Sequence, residues 1–182
     1  MAKIIYREGC EGHNKLSCIE GIEIGLLNGQ RALIFPKYSK EYLMQSVQIN
    51  KWNGRALSEI EALKVEDTLS ETVALFNLGS PAANWVLLFV AKDRRQFSLP
   101  SLLAAMEIQH QKEEIDALAE TIEGADLLRD FTSSVWSCSR TSLNGVWFVI
   151  GGYVYAGSSV NGGGMGSACL AVPTILYREE EL

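Results

Sequence analysis

The sequence predicts an α+β fold in which helices pack against a mainly antiparallel sheet. Residues typical of β-strands dominate the two ends of the chain, and helical periodicity is confined to the middle. A β, then helical, then β order is typical of α+β domains. The length of 182 residues and the hydrophobic content of 47% fit one domain with one substantial core. The sequence divides this domain into a β-rich and mixed part (1–79), a helical part (80–130), a β-rich part (131–177) and an acidic tail (178–182).

The N-terminal part alternates apolar runs with turn-forming residues from Lys3 to Lys37. Asn28-Gly29 lies between two of these apolar runs, and this dipeptide in that setting predicts a tight β-hairpin. The segment that follows is less regular. We expect a short helix from Glu41 to Val47 and a loop from Asn50 to Gly54.

Three helices are predicted in the middle of the chain. Ser80 is a candidate N-cap and Pro81 suits the first helical turn, so one helix is expected to begin there. Ser101 predicts a second helix start after Leu99-Pro100, because the residue before proline disfavours helical backbone. A third helix is expected to end at Gly124, with acids that favour the helix dipole in its first turn: Glu113, Glu114 and Asp116. Spacing of i, i+3, i+4 and i+7 gives the first and third helices one apolar stripe each: Ala83, Val86, Leu87 and Val90, and Ile115, Leu118, Ala119 and Ile122.

After Asp130 the sequence changes to short β-favouring runs separated by glycine and serine. Charged residues nearly vanish, since Arg140 is the only one between Asp130 and Arg178. The glycine-rich run from Gly162 to Gly166 invites comparison with a phosphate-binding loop, but no Lys-Ser or Lys-Thr follows it, so a hairpin tip is predicted. The predicted strands are Ser134–Ser139, Val146–Ile150, Tyr153–Tyr155 and Cys169–Leu176.

Charge and hydropathy exclude several classes of partner. The formal net charge of -6 and the lack of a basic stripe argue against a nucleic-acid partner, because the molecule repels phosphate backbones. The closest cationic cluster, at positions 92, 94 and 95, is predicted to lie at a helix end, where cations complement the dipole. The longest strongly apolar stretch, Trp85 to Ala91, is too short to cross a bilayer, so no membrane insertion is expected. The N-terminus lacks the apolar run of a secretory signal, which predicts a soluble protein that is cytoplasmic when synthesised.

The cysteines and histidines give no metal-site or catalytic pattern. Cys10, Cys18, Cys138 and Cys169 form no Cys-x-x-Cys pair and have no histidine at ligand spacing, so neither a zinc site nor another cofactor is expected. Free thiols are predicted, with a bridge between Cys10 and Cys18 as the alternative under oxidising conditions. The two histidines are expected in a loop and at a polar helix junction: His13 and His110.

Several short blocks in the second half of the chain stand in an ordered series. They are Phe97-Ser-Leu-Pro-Ser, Val135-Trp-Ser-Cys-Ser, Val146-Trp-Phe-Val with Gly152-Tyr-Val after it, and Cys169-Leu-Ala-Val-Pro. Over residues 80 to 177 this series resembles the family typified by the C-terminal domain of collagen-like bacterial adhesins. That family has Trp-Arg-Leu-Pro-Thr/Ser, Trp-Ser-Ser-Thr/Ser-Glu, Ala-Trp-Tyr-Val and Val-Arg-Pro-Val. The resemblance implies a C-type-lectin-like fold, akin to that of formylglycine-generating enzymes and found on phage, prophage and bacterial surface proteins. It thereby implies assembly into a phage particle or export by a non-classical route.

The chain departs from that family at several polar positions. Ser98 stands where an arginine usually precedes Leu-Pro, and Ala104 where a glutamate usually completes the helix start. Arg140 stands where the acid follows Trp-Ser-Ser-Ser, and Leu170 where the last block has arginine. Loss of both members of a buried ion pair is tolerable, since a single buried charge is the costly state.

The resemblance also indicates a contact face. Relatives of this family include the variable proteins of diversity-generating retroelements, whose C-terminal strands and loops accept many side chains on one exposed face. Strand alternation puts Trp147 on one face and Phe148 and Ile150 on the other, and in the family the tryptophan face is the buried one. Phe148 and Ile150 are then exposed. Tyr153 and Tyr155 share a face, and tyrosine offers large contact area at little rotamer cost.

These observations predict a non-catalytic module that binds a protein or a glycan, with a homo-oligomer as a further option. Calcium is not implied, because the acidic and amide clusters that bind it are absent from this part of the sequence. The buried scaffold is expected to include Trp136, Trp147, Leu99 and Pro100, whereas Thr141, Asn144, Tyr153 and Tyr155 are expected at the surface. The contact surface is formed or bordered by Arg140, Thr141, Leu143, Asn144, Phe148, Ile150, Tyr153, Tyr155 and Asn161.

Two other functions stay open. One is an enzyme of the formylglycine-generating type, or another cysteine-dependent enzyme on the same scaffold, for which Cys138 and Cys169 are the candidate residues. No acid or histidine close in sequence activates either thiol, although the fold can bring partners near. The other is a structural protein whose C-terminal sheet is an oligomer interface, with the aromatic residues packed in it.

Overall fold

Two β-sheets and five α-helices make up the part of the chain described by a computed structural model, residues 1–41, 56–131, 134–141, 145–156 and 169–178. The fold is α+β, as the sequence predicts. The strands are β1 (Lys3–Tyr6), β2 (Ile19–Gly25), β3 (Arg31–Ile34), β4 (Ser39–Glu41), β5 (Ser134–Arg140), β6 (Val146–Ile150), β7 (Tyr153–Ala156), β8 (Cys169–Ala171) and β9 (Thr174–Tyr177). The helices are α1 (Glu59–Ala62), α2 (Thr68–Asn77), α3 (Pro81–Val86), α4 (Leu102–His110) and α5 (Lys112–Ala119).

The first sheet is antiparallel and has the strand order β1-β2-β3-β9. The predicted hairpin at Asn28-Gly29 joins β2 to β3, where the Leu26 amide donates to the Gln30 carbonyl oxygen at 2.9 Å. Gly29 has φ +82°, a left-handed value that favours glycine. The last strand, β9, pairs with β3, so the N-terminal and C-terminal parts of the described chain share one sheet.

The second sheet has the strand order β4-β8-β5-β6-β7 and contains one parallel pair, β5 beside β8. The sequence predicts one β-run from Cys169 to Leu176, whereas the structure has two strands there, in different sheets. Pro173 lies between them, and proline cannot donate a ladder hydrogen bond, so the pairing of β8 stops before it. The chain thus passes from the second sheet to the first at Val172-Pro173.

The helix-start signals are confirmed. Ser80 Oγ accepts a hydrogen bond from the Ala83 amide at 3.1 Å, and Ser101 Oγ accepts one from the Ala104 amide at 3.1 Å. Each serine therefore caps its helix, α3 or α4, as predicted. The third predicted helix is α5, but it ends at Ala119, before the predicted end at Gly124, where the chain turns with φ +89°.

Helix α2 is missed by the sequence patterns. Asp67 caps it, since its carboxylate accepts a hydrogen bond from the Ser70 amide at 3.0 Å. Its periodic apolar side chains face outward, and two threonines face inward. The apolar pattern therefore does not identify the buried face of the helix. The buried residues are Thr68, Thr72 and Leu75, and exposed apolar residues are Leu69, Val73 and Phe76.

Helix α3 is shorter than its apolar stripe predicts. It ends at Val86, so Val90 lies beyond the helix, exposed, and forms an isolated bridge with Gln96. The cationic cluster at positions 92, 94 and 95 therefore occupies a turn, and its predicted place at a helix end is wrong. Arg94 has φ +71°, and Arg95 Nε donates to Asp93 Oδ2 at 2.5 Å.

Some predictions fall on positions outside the described residues. Of the predicted helix from Glu41 to Val47, the structure describes Glu41 alone, which ends β4. The loop at 50–54, the glycine-rich tip at 162–166 and the acids of the tail lie outside the described ranges.

The second sheet is the central layer, because both of its faces are covered. On one face, Val135, Val149 and Leu170 pack in a core with α4, α5 and the first sheet. On the other face, Trp136 and Phe148 pack in a second core with α2 and α3. The Cys138 amide donates to the Pro100 carbonyl oxygen at 2.9 Å, which ties β5 to the segment before α4. Strands β6 and β7 lie at one side of this sheet and carry the candidate contact residues.

Candidate functional site

A row of aromatic rings crosses β5, β6 and β7 on one face of the second sheet. Trp136 lies opposite Phe148, and Phe148 lies opposite Tyr155. The first two rings meet edge to face with centroids 5.5 Å apart, and the second pair stacks with centroids 5.6 Å apart. Such cross-strand pairs stabilise a sheet beyond the area that they bury. The row runs from the core to the surface, because Trp136 is buried and Tyr155 is 46% exposed.

The β6–β7 hairpin places two more apolar side chains at this surface. Ile150 lies opposite Tyr153, and Tyr153 is 72% exposed. The turn consists of Gly151 and Gly152, with φ values of +56° and +85°, which is the pattern of a two-residue hairpin turn that needs glycine. The turn holds Ile150 and Tyr153 in a fixed cross-strand register.

The hairpin is anchored to α4 through Gln109. The Gln109 side chain donates from Nε2 to the Val149 carbonyl oxygen at 2.9 Å. Its Oε1 accepts from the Gly152 amide, also at 2.9 Å. One side chain therefore satisfies both a strand group and a turn group, which fixes the hairpin relative to the helix.

Phe148 corrects the predicted face. It is only 9% exposed, although the resemblance implies that it faces solvent. The reason is that α2 and α3 cover its side of the sheet, where it packs in a core with Leu75 and Val86. Trp147, expected in the buried scaffold, is half-buried, and its indole N–H donates to the Leu57 carbonyl oxygen at 2.9 Å. Trp136, Leu99 and Pro100 are buried, as predicted.

Thr141 is also buried, so its predicted place at the surface is wrong. Its exposure is 2%, its amide donates to the Gly145 carbonyl oxygen at 2.8 Å, and its Oγ1 accepts from the Gly145 amide at 3.3 Å. These bonds close the connection between β5 and β6. Arg140 contacts α2 through its guanidinium, whose Nη2 lies 3.4 Å from Glu71 Oε2. Both residues therefore hold the scaffold together rather than offering a contact surface.

Among the described residues, the exposed part of the predicted site thus reduces to three side chains on β6 and β7: Ile150, Tyr153 and Tyr155. Leu143, Asn144 and Asn161 lie outside the described residues. Within residues 134–141 and 145–156, Arg140 is the only charged residue, and it is turned toward Glu71. The exposed face is therefore apolar and aromatic, without a charge of its own.

The positions that depart from the resembling family carry no unpaired buried charge. Ser98 and Ala104, at the two positions where an arginine and a glutamate are usual, are both buried. Ser98 Oγ donates to Thr68 Oγ1 at 2.7 Å. Leu170 is buried in the apolar core on the other side of the sheet. The side chains at these three positions are neutral, which avoids the cost of a single buried ion.

The two thiols that an enzyme would use are not activated. All four cysteines are free, and Cys138 and Cys169 are buried. Burial raises the pKa of the Cys138 thiol to about 12 and that of the Cys169 thiol to about 11. Thiols with such pKa values are protonated at neutral pH and do not supply the thiolate that attacks a substrate. Cys10 and Cys18 lie close enough to hydrogen-bond, and this bond raises the pKa of the Cys10 thiol.

A cleft of about 930 Å³ is a feature that the sequence patterns did not indicate. It lies beside the Gly151-Gly152 turn and is lined by the end of α4 and the start of α5. Glu107 and Gln111 are among its lining residues, and Glu107 is only 8% exposed. Their i and i+4 spacing is the sequence signal, because it places both polar side chains on one helical face, but it lies within a run that otherwise resembles a solvated junction.

Two other kinds of feature are absent from the described ranges. No helix in them is both long and apolar enough to cross a membrane. They also contain no group of three or more His, Cys, Asp or Glu side chains placed to hold a metal ion. Comparison of the chain with protein-family models, curated proteins and solved structures finds no match.

Proposed function

We propose that this protein is a non-catalytic binding module that recognises a protein partner through Ile150, Tyr153 and Tyr155. The observation that carries the proposal is the exposure of two tyrosines, 72% and 46%, on a hairpin fixed by its glycine turn and by Gln109. Exposed aromatic residues on a rigid element lose little conformational entropy on binding, so less of the free energy gained from the area that they bury is offset by ordering.

A protein is the favoured class of ligand because the described part of the exposed face is apolar and uncharged. Tyrosine is enriched at the centre of protein–protein interfaces, and charged residues are depleted there. The partner is expected to bring an apolar or aromatic patch of its own. A glycan, which needs more polar groups for its hydroxyls, is the alternative outcome of the test below.

The proposed fold within the α+β class is C-type-lectin-like, and the meeting of the sequence blocks supports it. The Leu99-Pro100 block contacts the Trp136 block through the hydrogen bond from Cys138 to Pro100. The blocks that begin at Val146 and Cys169 form β6 and β8, the two neighbours of β5. The blocks that follow one another along the sequence in the resembling family are thus packed against each other here, as a shared scaffold requires.

The non-catalytic part of the proposal is supported by the state of the candidate nucleophiles. Cys138 and Cys169 are buried, and their pKa values are raised well above neutrality. An enzyme that depends on these thiols would have to unfold its own core to expose them. The exposed hairpin needs no such rearrangement to act.

The test selects peptide ligands on the wild-type protein and compares their binding to matched protein variants. A random-peptide display library is selected on the wild-type protein and tested against the double variant Tyr153→Ser/Tyr155→Ser. Leu88→Ser serves as the control, because Leu88 is an exposed apolar residue outside the hairpin. We expect peptides that bind the wild type and the control but lose about tenfold or more in affinity for the double variant.

Two outcomes would contradict the proposal. If the selected peptides bound the double variant as tightly as the wild type, the hairpin would not be the recognition surface. A glycan array is probed in parallel with the same three proteins. If glycans bound through the tyrosines and no peptide did, the ligand class would be a glycan instead of a protein.

A further inference from the structure

The cleft beside the Gly151-Gly152 turn has the size and lining of a small-molecule site. Its volume of about 930 Å³ lies in the range of about 300–1,000 Å³ that is typical of ligand pockets. Buried apolar residues line part of it, among them Ile108, Val135 and Leu170. Charged and polar side chains line another part, among them Glu107, Gln111, Lys112, Glu114 and Arg129. An apolar surface with a few polar groups is the usual composition of a site for an organic ligand.

Glu107 differs from the other buried acids of the described chain. Glu23 is paired with Lys3 and Arg31, each at 3.0 Å. Asp116 accepts hydrogen bonds from the amides of Leu128 at 2.6 Å and Arg129 at 3.0 Å. Glu107, at 8% exposure, has no cationic partner among the described residues. A buried carboxylate is ordinarily paired with a cation, so Glu107 lacks the partner that such a group usually has.

The hydrogen bonding of Glu107 leaves acceptors unused. Gln111 Nε2 donates to Glu107 Oε2 at 2.9 Å, and this is the single hydrogen bond that the Glu107 carboxylate receives within the described ranges. The same Nε2 donates to the Gly25 carbonyl oxygen, also at 2.9 Å. Both contacts of that nitrogen are acceptors, so the amide cannot be turned round. Gln111 Oε1 is therefore fixed as an acceptor, and it is buried without a donor among the residues that the structure describes.

We propose that this cleft binds a small organic ammonium ion, a positively charged amine on an apolar body. Glu107 supplies a negatively charged acceptor to the lining of the cleft, and the group that complements it is a cationic donor. An ammonium group supplies three donors and one positive charge. Its apolar body would lie against the accessible apolar lining, which includes Leu27, Met106 and Phe131.

A bare metal ion fits the cleft less well. Hard cations take six or more oxygen ligands or a near-ideal octahedron, and Glu107 with Gln111 supplies only a carboxylate and an amide oxygen. No group of three or more acids, histidines or cysteines placed for a metal occurs in the described ranges. The apolar lining also has no role toward an inorganic ion, whereas it matches the body of an organic amine.

The experiment compares ligands that differ in one group. Benzylamine, 2-phenylethylamine and hexylamine are titrated into the isotopically labelled full-length protein, and binding is followed by chemical shifts in two-dimensional NMR spectra. 2-Phenylethanol and 3-phenylpropionate are the neutral and anionic comparisons. We expect at least one amine to bind about tenfold or more tightly than both comparisons, with shifts at Gly151, Gly152 and Gln111.

A matched pair of variants locates the site. Glu107→Gln should weaken amine binding by about tenfold or more, because it removes the negative acceptor. Glu113→Gln removes an exposed acid on the neighbouring helix, outside the cleft lining, and should change affinity less than about twofold. Near-UV circular dichroism checks that each variant is folded. The comparison of amines with 2-phenylethanol uses the wild type, so it decides the question even if Glu107→Gln misfolds.

Several results would overturn the inference. It fails if none of the three amines binds, if the alcohol or the carboxylate binds as tightly, or if folded Glu107→Gln keeps full affinity. It also fails if amine shifts map to a region away from the cleft. These outcomes are independent of the tyrosine hairpin, which is not altered in any of the proteins used.

Discussion

Phe148 stacks against Tyr155 with ring centroids 5.6 Å apart and ring planes inclined by 23°, so that a buried ring and an exposed ring share one face of the sheet. Trp136 meets the other side of Phe148 edge to face. The stability of the protein and its exposed aromatic surface are thus coupled along one row. The contribution of each ring to folding should fall from the core end of the row to the surface end.

The first prediction is a graded loss of stability along this row and the adjoining hairpin. Trp136→Ala should lower the free energy of unfolding by about 3–5 kcal/mol, because it leaves a large cavity in a buried core. Tyr155→Ser should cost about 0.5–1.5 kcal/mol through the lost stacking. Tyr153→Ser should change stability by no more than about 0.5 kcal/mol, because the ring is exposed. Urea unfolding of the three variants measures the series. Equal losses for Tyr153→Ser and Trp136→Ala would mean that the hairpin tyrosine is a core residue, and the proposed contact face would be wrong.

The second prediction concerns two glycines of the same strand. A Cβ added to Gly21 would lie 2.6 Å from the Ile34 carbonyl oxygen, and this oxygen belongs to a strand that cannot move away without breaking its ladder. Gly21→Ala should therefore destabilise the protein by about 1–3 kcal/mol. Gly25→Ala is the control, since no atom lies within 4 Å of its added Cβ. Its effect should stay within about 0.5 kcal/mol. Thermal melts compare the two, and similar melting temperatures would contradict the close approach of β2 and β3 at Gly21.

Local chemistry explains which parts of the fold are predictable from sequence. The hairpin at Asn28-Gly29 and the caps at Ser80 and Ser101 are confirmed because each depends on a few neighbouring residues. Helix α2 is missed because Thr68 and Thr72 occupy its buried face. Their hydroxyls are satisfied there: Thr72 Oγ1 donates to the Thr68 carbonyl oxygen at 2.7 Å and accepts from the Leu99 amide at 3.0 Å.

The error at Phe148 has a tertiary cause. The resemblance implies that the Trp147 face is the buried one, which leaves Phe148 exposed, and the missed helix α2 gave no reason to expect cover on its side. With α2 and α3 in place, both faces of the second sheet are covered, and within the described ranges the exposed part of the predicted site shrinks to the β6–β7 hairpin. Asp116 shows the same limit, because the sequence assigns it to the helix dipole while its carboxylate binds the amides of Leu128 and Arg129. Such partners depend on tertiary structure, which a helical pattern alone does not contain.

The third prediction is selective reactivity of the four cysteines. At about pH 8 a chromogenic disulfide reagent should react with Cys10 and Cys18, which are half-buried, and leave Cys138 and Cys169 unmodified. The reason is burial, which also raises the pKa of both protected thiols. All four should react in denaturant. The variant Cys10→Ser/Cys18→Ser is the control and should show no fast reaction in the native state. A fast reaction of Cys138 in that variant would reopen the cysteine-dependent enzyme as a function.

The last prediction follows from the pKa of Cys138, which is raised from an ordinary value near 9 to about 12 by burial. The folded state holds this proton more tightly than the unfolded state. Its contribution to stability is therefore complete below about pH 9 and is lost as the pH rises toward 12, at about 1.4 kcal/mol per pH unit. The free energy of unfolding is measured in urea between about pH 7 and 11. The contribution of Cys138 to it should stay constant up to about pH 9 and then decline.

Cys138→Ala isolates that contribution, because it removes the thiol and keeps the other alkaline groups. Burial also raises the pKa of Tyr38, but this residue is present in both proteins and cancels in their difference. The variant should lose stability at neutral pH through its smaller side chain, and the gap to the wild type should narrow above about pH 9. A constant gap from pH 7 to 11 would show that Cys138 titrates alike in the folded and unfolded states, and its burial in the core beside Trp136 would then be wrong.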